Sequence, residues 1–332
     1  MDKVEETFPL RYYFGFRALD YNKIRAYTDN LSKERMISKF QFGTMFRGWN
    51  GKQELTVKIW NNDVLDHMDG HGMMMDELFL FNKVDLKGIP KIIGCSDDTN
   101  NPCAIIYDLS VMDTLHNLIP SGNFCWRDRI KVALGIALAI KSFHLLKWPF
   151  TIRNVSATHI MCEKDFTPWL CDFGLINGGL INPVRYKYDE QTGYPGYVDP
   201  YFIDTGSCSE KTDVYAYGVL LLSLITKRVF NDEKDEDPDF LRKWAEKEFN
   251  GKRKPGTRRP TLVDLSLKLD VHFDPKDGHR ITLMAMQCIK YDPDGRPEMD
   301  EVVRTLRGLY VVENHINECV LNEALERHLS KA

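Results

Sequence analysis

The periodicity of the chain changes near Asp108, and that change constrains the fold more than any other feature. Before it, from Ile37 to Trp60, apolar residues fall in short alternating runs, KFQFGTMFRGW and ELTVKIW, on either side of an Asn-Gly-Lys turn. That pattern predicts antiparallel strands joined by a hairpin. GMMMDELFLFNKV then takes helical spacing, and KIIGC and AIIYDL supply two further strands around the polar turn SDDTNNP. After Asp108 the spacing is helical: WRDRIKVALGIALAIKSFHLL sets Ile130, Leu134, Ala137 and Ile140 on one face. VYAYGVLLLSLI, from Val214 to Ile225, is apolar all round, and HRITLMAMQCIKY and MDEVVRTLRGLYVVENHINECVL return to helical periodicity. Strands followed by helices, rather than alternating with them, predict an α+β chain. A small antiparallel sheet with one main helix should precede a larger, mostly helical part.

Composition narrows the function classes. With 332 residues, 43% of them hydrophobic, the chain can bury a substantial core without staples. A net charge of −4, with both signs interspersed, gives no footprint for nucleic acid. The cysteines Cys95, Cys103, Cys125, Cys162, Cys171, Cys208, Cys288 and Cys319 show neither a C-x-x-C pair nor regular spacing. They read as buried thiols in a reducing compartment rather than as zinc ligands or a disulfide framework. The stretch Val214 to Ile225 is shorter than the ~20 residues that span a bilayer, so it reads as a core helix and no integral membrane segment is expected. The start, MDKVEETFPLRYYF, lacks the apolar run of a signal peptide, and Asp2 excludes N-myristoylation. Tyr21 to Tyr27 predicts a short helix in a lead-in segment, with Asn30 or Ser32 capping the next turn. The acidic DEKDEDPDF and basic GKRKPGTRRP read as solvated loop faces.

The motifs resemble the protein kinase family over roughly Ser32 to Leu309, and most of all plant receptor-like and receptor-like cytoplasmic kinases. GYVDPYFIDTGSCSEKTDVYAYGVLLLSLITKR and CIKYDPDGRPEMDEVVRTLRGL carry the likeness. It implies a bilobal fold: a lead-in over 1–31, an N-lobe over 32–108, a C-lobe over 109–310 and a helical tail over 311–332. It places Lys58, in LTVK, as the strand lysine that meets the nucleotide's phosphates, with Glu77 on the following helix as its ion-pair partner and Asp76 as the alternative register. Asp172, in DFG, becomes the Mg²⁺-holding carboxylate. Asp213 stands at a helix start where it can accept hydrogen bonds from the catalytic-loop backbone, and Gly218 and Arg296 are further fold-supporting positions.

Against this pattern stand three departures. The glycine-rich loop keeps Gly43, but its other two glycines fall on Ser38 and Phe40. Phe40 either covers the phosphate site or folds outward. The catalytic loop reads Ile152, Arg153, Asn154, Val155, Ser156, Ala157, Thr158, His159. Asn154 replaces the aspartate base, and an amide cannot accept the hydroxyl proton as a carboxylate does. His159 replaces the second metal ligand, where an imidazole suits a hard cation poorly, and Ser156 stands where a phosphate-contacting lysine is frequent. In the activation segment, Tyr194 replaces a threonine and Tyr201 replaces the glutamate that pairs with Arg296, so Arg296 needs another acceptor.

Two readings follow. One is a pseudokinase of cytoplasmic signalling that presents surfaces to other proteins, with kinases or immune receptors as partners, peripheral to the plasma membrane through them. The other is a slow or atypical serine/threonine kinase, with Glu163 or Asp165 as substitute bases. Asp172 keeps ATP and Mg²⁺ open as cofactors in both, and Arg153 offers a partner for a phosphate on Tyr186, Tyr188 or Thr192.

Overall fold

The computed structural model describes residues 15–40, 42–60, 70–83, 86–96, 101–178, 193–230, 235–251 and 260–326. The chain divides into two compact units, one built from residues up to Asp85 and from Pro90–Val111, the other from Leu86–Ile89 and Met112–Arg327. Strands dominate the first and helices the second, as the change in periodicity requires.

The smaller unit begins with strand β1 (Ala18–Leu19) and helix α1 (Tyr21–Tyr27), which Asp20 caps through a hydrogen bond from the Asn22 N–H at 2.7 Å. Strands β2 (Met36–Phe40), β3 (Gly43–Trp49) and β4 (Glu54–Trp60) follow, then helix α2 (Gly70–Lys83) and strands β5 (Ile92–Ser96) and β6 (Ala104–Tyr107). The sheet order is β1-β5-β6-β4-β3-β2, antiparallel throughout except that β1 pairs with β5 in parallel. Of the residues read from the sequence as a separate lead-in, those described, from Gly15 on, are part of this unit. Strand alternation explains why: Leu55, Val57 and Ile59 of β4 share one face and bury it with Leu19, Tyr21, Ile24, Phe46 and Ile106. Helix α1 supplies the apolar cover that this face needs, and the other face of β4 carries Thr56, Lys58 and Trp60.

The larger unit runs through β7 (Asp113–Thr114), α3 (Leu115–Leu118), the long helix α4 (Trp126–His144), β8 (Phe150–Thr151), β9 (Ile160–Cys162), β10 (Pro168–Leu170) and β11 (Asn177–Gly178). It continues with α5 (Pro200–Thr205), α6 (Glu210–Thr226), α7 (Phe240–Asn250), α8 (Pro275–Cys288), α9 (Met299–Arg307), α10 (Tyr310–His315) and α11 (Glu318–Leu325). Helix α6 is buried from Thr212 to Thr226, which accounts for an apolar stretch with no polar face. Gly218 lets α8 approach it closely, because a Cβ there would sit 2.5 Å from Cys288 Cβ. No described helix is long and apolar enough to cross a membrane. The C-terminal helices pack back on α4, with Leu321 and Leu325 buried and the Gly88 N–H donating to Leu325 O at 3.0 Å. Of the acidic stretch, Asp237 and Asp239 pair with Lys243 and Arg242 in the first turn of α7, a favourable end for negative charge. Most of the basic stretch lies outside the described residues.

Candidate functional site

In the smaller unit, strand β4 presents Lys58 and helix α2 presents Glu77. Lys58 Nζ donates to Glu77 Oε2 at 2.7 Å, and both side chains are fully buried. The partner is thus Glu77 rather than Asp76. Two groups that the sequence did not single out complete the cluster. The Tyr107 hydroxyl donates to Glu77 Oε1, and the Lys58 ammonium lies 4.3 Å from the Trp60 ring centroid and 5.3 Å from that of Phe40. Trp60 had a legible signal, since two residues beyond Lys58 on a strand is the same face. Phe40 does not fold outward; it is buried at the end of β2, opposite Gly43. Gly43 has a packing cause of its own. A Cβ at that position would meet Ile59 O at 2.2 Å and the Phe40 ring at 2.8 Å, so close approach of β3 to β4 requires glycine there without any phosphate. Ser38 bonds Lys39 O at the exposed edge of the same strand.

In the larger unit, two antiparallel pairs hold the catalytic loop against the DFG segment. Strand β8 pairs with β11, Thr151 opposite Asn177, and β9 pairs with β10, Ile160 opposite Leu170. Residues 152–159 leave one pair and enter the other in one direction, and residues 171–176 return in the opposite one. The Cys171 N–H donates to His159 O at 3.1 Å across the gap. Phe173 is fully buried and stacks on Phe143 of α4 at 5.6 Å, which anchors Asp172 beside the loop. Asn154 Nδ2 then donates to Asp172 Oδ2 at 2.6 Å, the Gly174 N–H donates to Asp172 Oδ1 at 3.3 Å, and His159 Nε2 stands 3.5 Å from Asp172 Oδ2. His159 Nδ1 lies 2.9 Å from Ser156 Oγ and 3.1 Å from Asn154 O, and the Tyr194 ring stands nearly perpendicular to its ring with centroids 5.4 Å apart. Tyr194 also leans on Tyr197, whose phenol burial pushes up to about 12. Asn154, Ser156, His159 and Tyr194, four departures from the family pattern, therefore form one connected cluster around the retained Asp172.

The bracing residues lie in the same unit. Asp213 accepts from the backbone N–H groups of Ile152 and Arg153, each at 2.8 Å, and stands 3.0 Å from His144 Nε2. It therefore holds Arg153 in a left-handed conformation, φ 64°. The Arg153 guanidinium rests over the Phe202 ring at 4.9 Å. Arg296 has found its acceptor: Nη1 and Nη2 donate to the two oxygens of Asp199 at 2.5 and 2.7 Å, and further N–H groups go to the carbonyls of Lys211, Lys290 and Tyr291. Both partners are buried, a fork-to-fork geometry that compensates the charges. Tyr201, in the glutamate's place, packs on Tyr291 at 5.7 Å instead.

Neither proposed substitute base reaches the cluster. Glu163 accepts from Trp169 Nε1 at 3.0 Å, and Asp165 accepts from Thr167 N and Oγ1 in the turn between β9 and β10. Tyr186, Tyr188 and Thr192 lie outside the described residues. Among the described residues no group of three or more His, Cys, Asp or Glu side chains is placed to hold a metal ion.

A family model described as protein tyrosine and serine/threonine kinase matches residues 31–306. The chain belongs to that family. Its relatives include serine/threonine-protein kinase BIK1 of Arabidopsis thaliana, 27% identical over 88% of this chain and 76% of that protein. Probable serine/threonine-protein kinase PBL2, from the same plant, is 26% identical over 89% of this chain and 70% of its own length. A probable LRR receptor-like serine/threonine-protein kinase, At1g51820, is 29% identical over 90% of this chain but only 33% of its own. The likeness to plant receptor-like and receptor-like cytoplasmic kinases, and the α+β bilobal kinase fold, are thus shown. Members of this family generally use ATP and Mg²⁺.

Proposed function

We propose that this kinase-like chain is a pseudokinase that acts as a signalling scaffold or adaptor. The observation that carries the reading is the Asn154 amide donating to Asp172 at 2.6 Å. A general base must accept a proton from the substrate hydroxyl, and at this position the side chain instead offers one to the neighbouring carboxylate. Loss of such a base removes ~10²- to 10⁴-fold of rate, and Glu163 and Asp165 are engaged elsewhere. What remains intact is architectural: Lys58 with Glu77, Asp213 under the loop, Arg296 with Asp199. The resemblance supplies the setting, cytoplasmic plant signalling with kinases or immune receptors as protein partners.

A second reading, a slow serine/threonine kinase, draws support from the intact Lys58 and Glu77 pair and from relatives named as kinases. Phosphoryl transfer relies largely on positioning and electrostatics. Incubating purified protein with labelled ATP and Mg²⁺ or Mn²⁺ separates the two. The scaffold reading expects no transfer above an Asp172→Ala control, and transfer that Asp172→Ala abolishes would overturn it.

A further inference from the structure

We propose that Asn154, with His159 beside it, stands in for a divalent cation: the Asn154 amide holds the Asp172 carboxylate and the His159 imidazole fills the same side, so the DFG segment is ordered without Mg²⁺, and a Mg²⁺-nucleotide gains no hold on it. The proposal rests on the reading of the chain as noncatalytic and adds a reason why nucleotide is not part of its working state.

A carboxylate that is 3% exposed must be compensated. In the family pattern a cation does this. Here the Asn154 N–H group, at 2.6 Å from Asp172 Oδ2, and the His159 imidazole, at 3.5 Å from the same oxygen, occupy that side. The amide is oriented by its contact, because only its NH₂ end can face a carboxylate oxygen at that distance. A hard cation such as Mg²⁺ takes oxygen ligands in near-octahedral geometry, and both groups turned toward Asp172 Oδ2 are nitrogens. The residues present do not fit Mg²⁺ as the family holds it.

The cluster also fixes its own members. His159 is oriented by Ser156 Oγ and Asn154 O on one ring nitrogen and by a perpendicular contact with the Tyr194 ring. Reversing one substitution would therefore disturb the others, as expected of a replacement for the ion rather than of unrelated losses. In the smaller unit, the Lys58 ammonium that would meet phosphate is fully buried, paired with Glu77 and flanked by the Phe40 and Trp60 rings. In each half, the charged group that would meet the nucleotide or its metal already has a protein partner, Glu77 for Lys58 and Asn154 for Asp172.

The test is thermal unfolding of the full chain with EDTA, Mg²⁺, ATP plus EDTA, and Mg²⁺-ATP. For the wild-type chain we expect no Mg²⁺-dependent shift at millimolar concentrations. Asn154→Asp, which sets two carboxylates together, should unfold several degrees lower in EDTA and recover most of that loss in Mg²⁺. Asn154→Leu should lose stability that Mg²⁺ does not restore. A wild-type shift with Mg²⁺-ATP beyond that with ATP plus EDTA overturns the proposal, and this arm stands even if a variant fails to fold. So does an Asn154→Asp protein as stable as wild type in EDTA. Mg²⁺-dependent nucleotide binding without phosphoryl transfer would defeat this inference alone, leaving the noncatalytic reading in place.

Discussion

Two positions in the larger unit lack a carboxylate that the family pattern puts there, Tyr201 and Asn154, and their surroundings answer the loss in opposite ways. Around Arg296 the answer is in kind. The guanidinium takes both oxygens of Asp199, two residues before Tyr201, and a buried cation stays compensated. Around Asp172 the described residues supply no new acid at the position of Asn154. The Asn154 amide donates to Asp172 where the family pattern has an acceptor, and the His159 imidazole stands 3.5 Å from the same oxygen, so a donor occupies that position. A carboxylate that supports the fold is replaced by a carboxylate, and one that supports the reaction is not. The difference separates what this chain needs in order to fold from what its relatives need in order to turn over.

That contrast can be broken by substitution. Asp199→Ala leaves Arg296 buried without its acid and should cost about 3–5 kcal/mol in urea unfolding; a cost under 1 kcal/mol would show that the carbonyls around Arg296 suffice. Asp172→Ala leaves the Asn154 N–H unpaired, and the expected loss is about 1–3 kcal/mol. If it matched Asp199→Ala, the two regions would be equally structural. Tyr194→Ala should remove only the ring contact on His159, about 0.5–1.5 kcal/mol, and a double-mutant cycle with His159→Ala would measure the coupling.

The smallest effect should lie at Asp165, in the turn beyond the loop. Burial alone would raise its carboxyl, but hydrogen bonds from Thr167 and the Lys131 charge outweigh burial and hold it below the ordinary carboxylate range. Its contribution is therefore fully present above the unfolded value of ~3.9 and is lost as pH falls through the lowered folded value. Asp165→Asn should flatten stability against pH in that acid window and leave the profile near neutrality unchanged.

The parts of this comparison were unequally legible in the sequence. The strands, the hairpin, α1 and the buried α6 follow from local periodicity, and those segments lie where the spacing puts them. Asp199 stands in VDPY, but nothing in the local sequence marks it as the acceptor for Arg296, 97 residues away, and only folding brings the two together. The His159 and Tyr194 contact is equally non-local, and neither residue type announces an edge-on ring pair. Phe40 was legible as an anomaly, yet whether it faced in or out depended on the pairing of β2 with β3. The parallel pairing of β1 left no trace at all, since two residues, Ala18 and Leu19, carry no period. Their position is set by the packing of α1.

That short strand bears on where the protein can be cut. The family match spans residues 31–306, yet Leu19, Tyr21 and Ile24 are core residues of the smaller unit, and Leu321 and Leu325 are core residues of the larger. A fragment trimmed to the matched residues would leave the β5 edge bare and one face of the Lys58 strand wet, a template for sheet-to-sheet association. The length recognised by likeness is shorter than the length that folds.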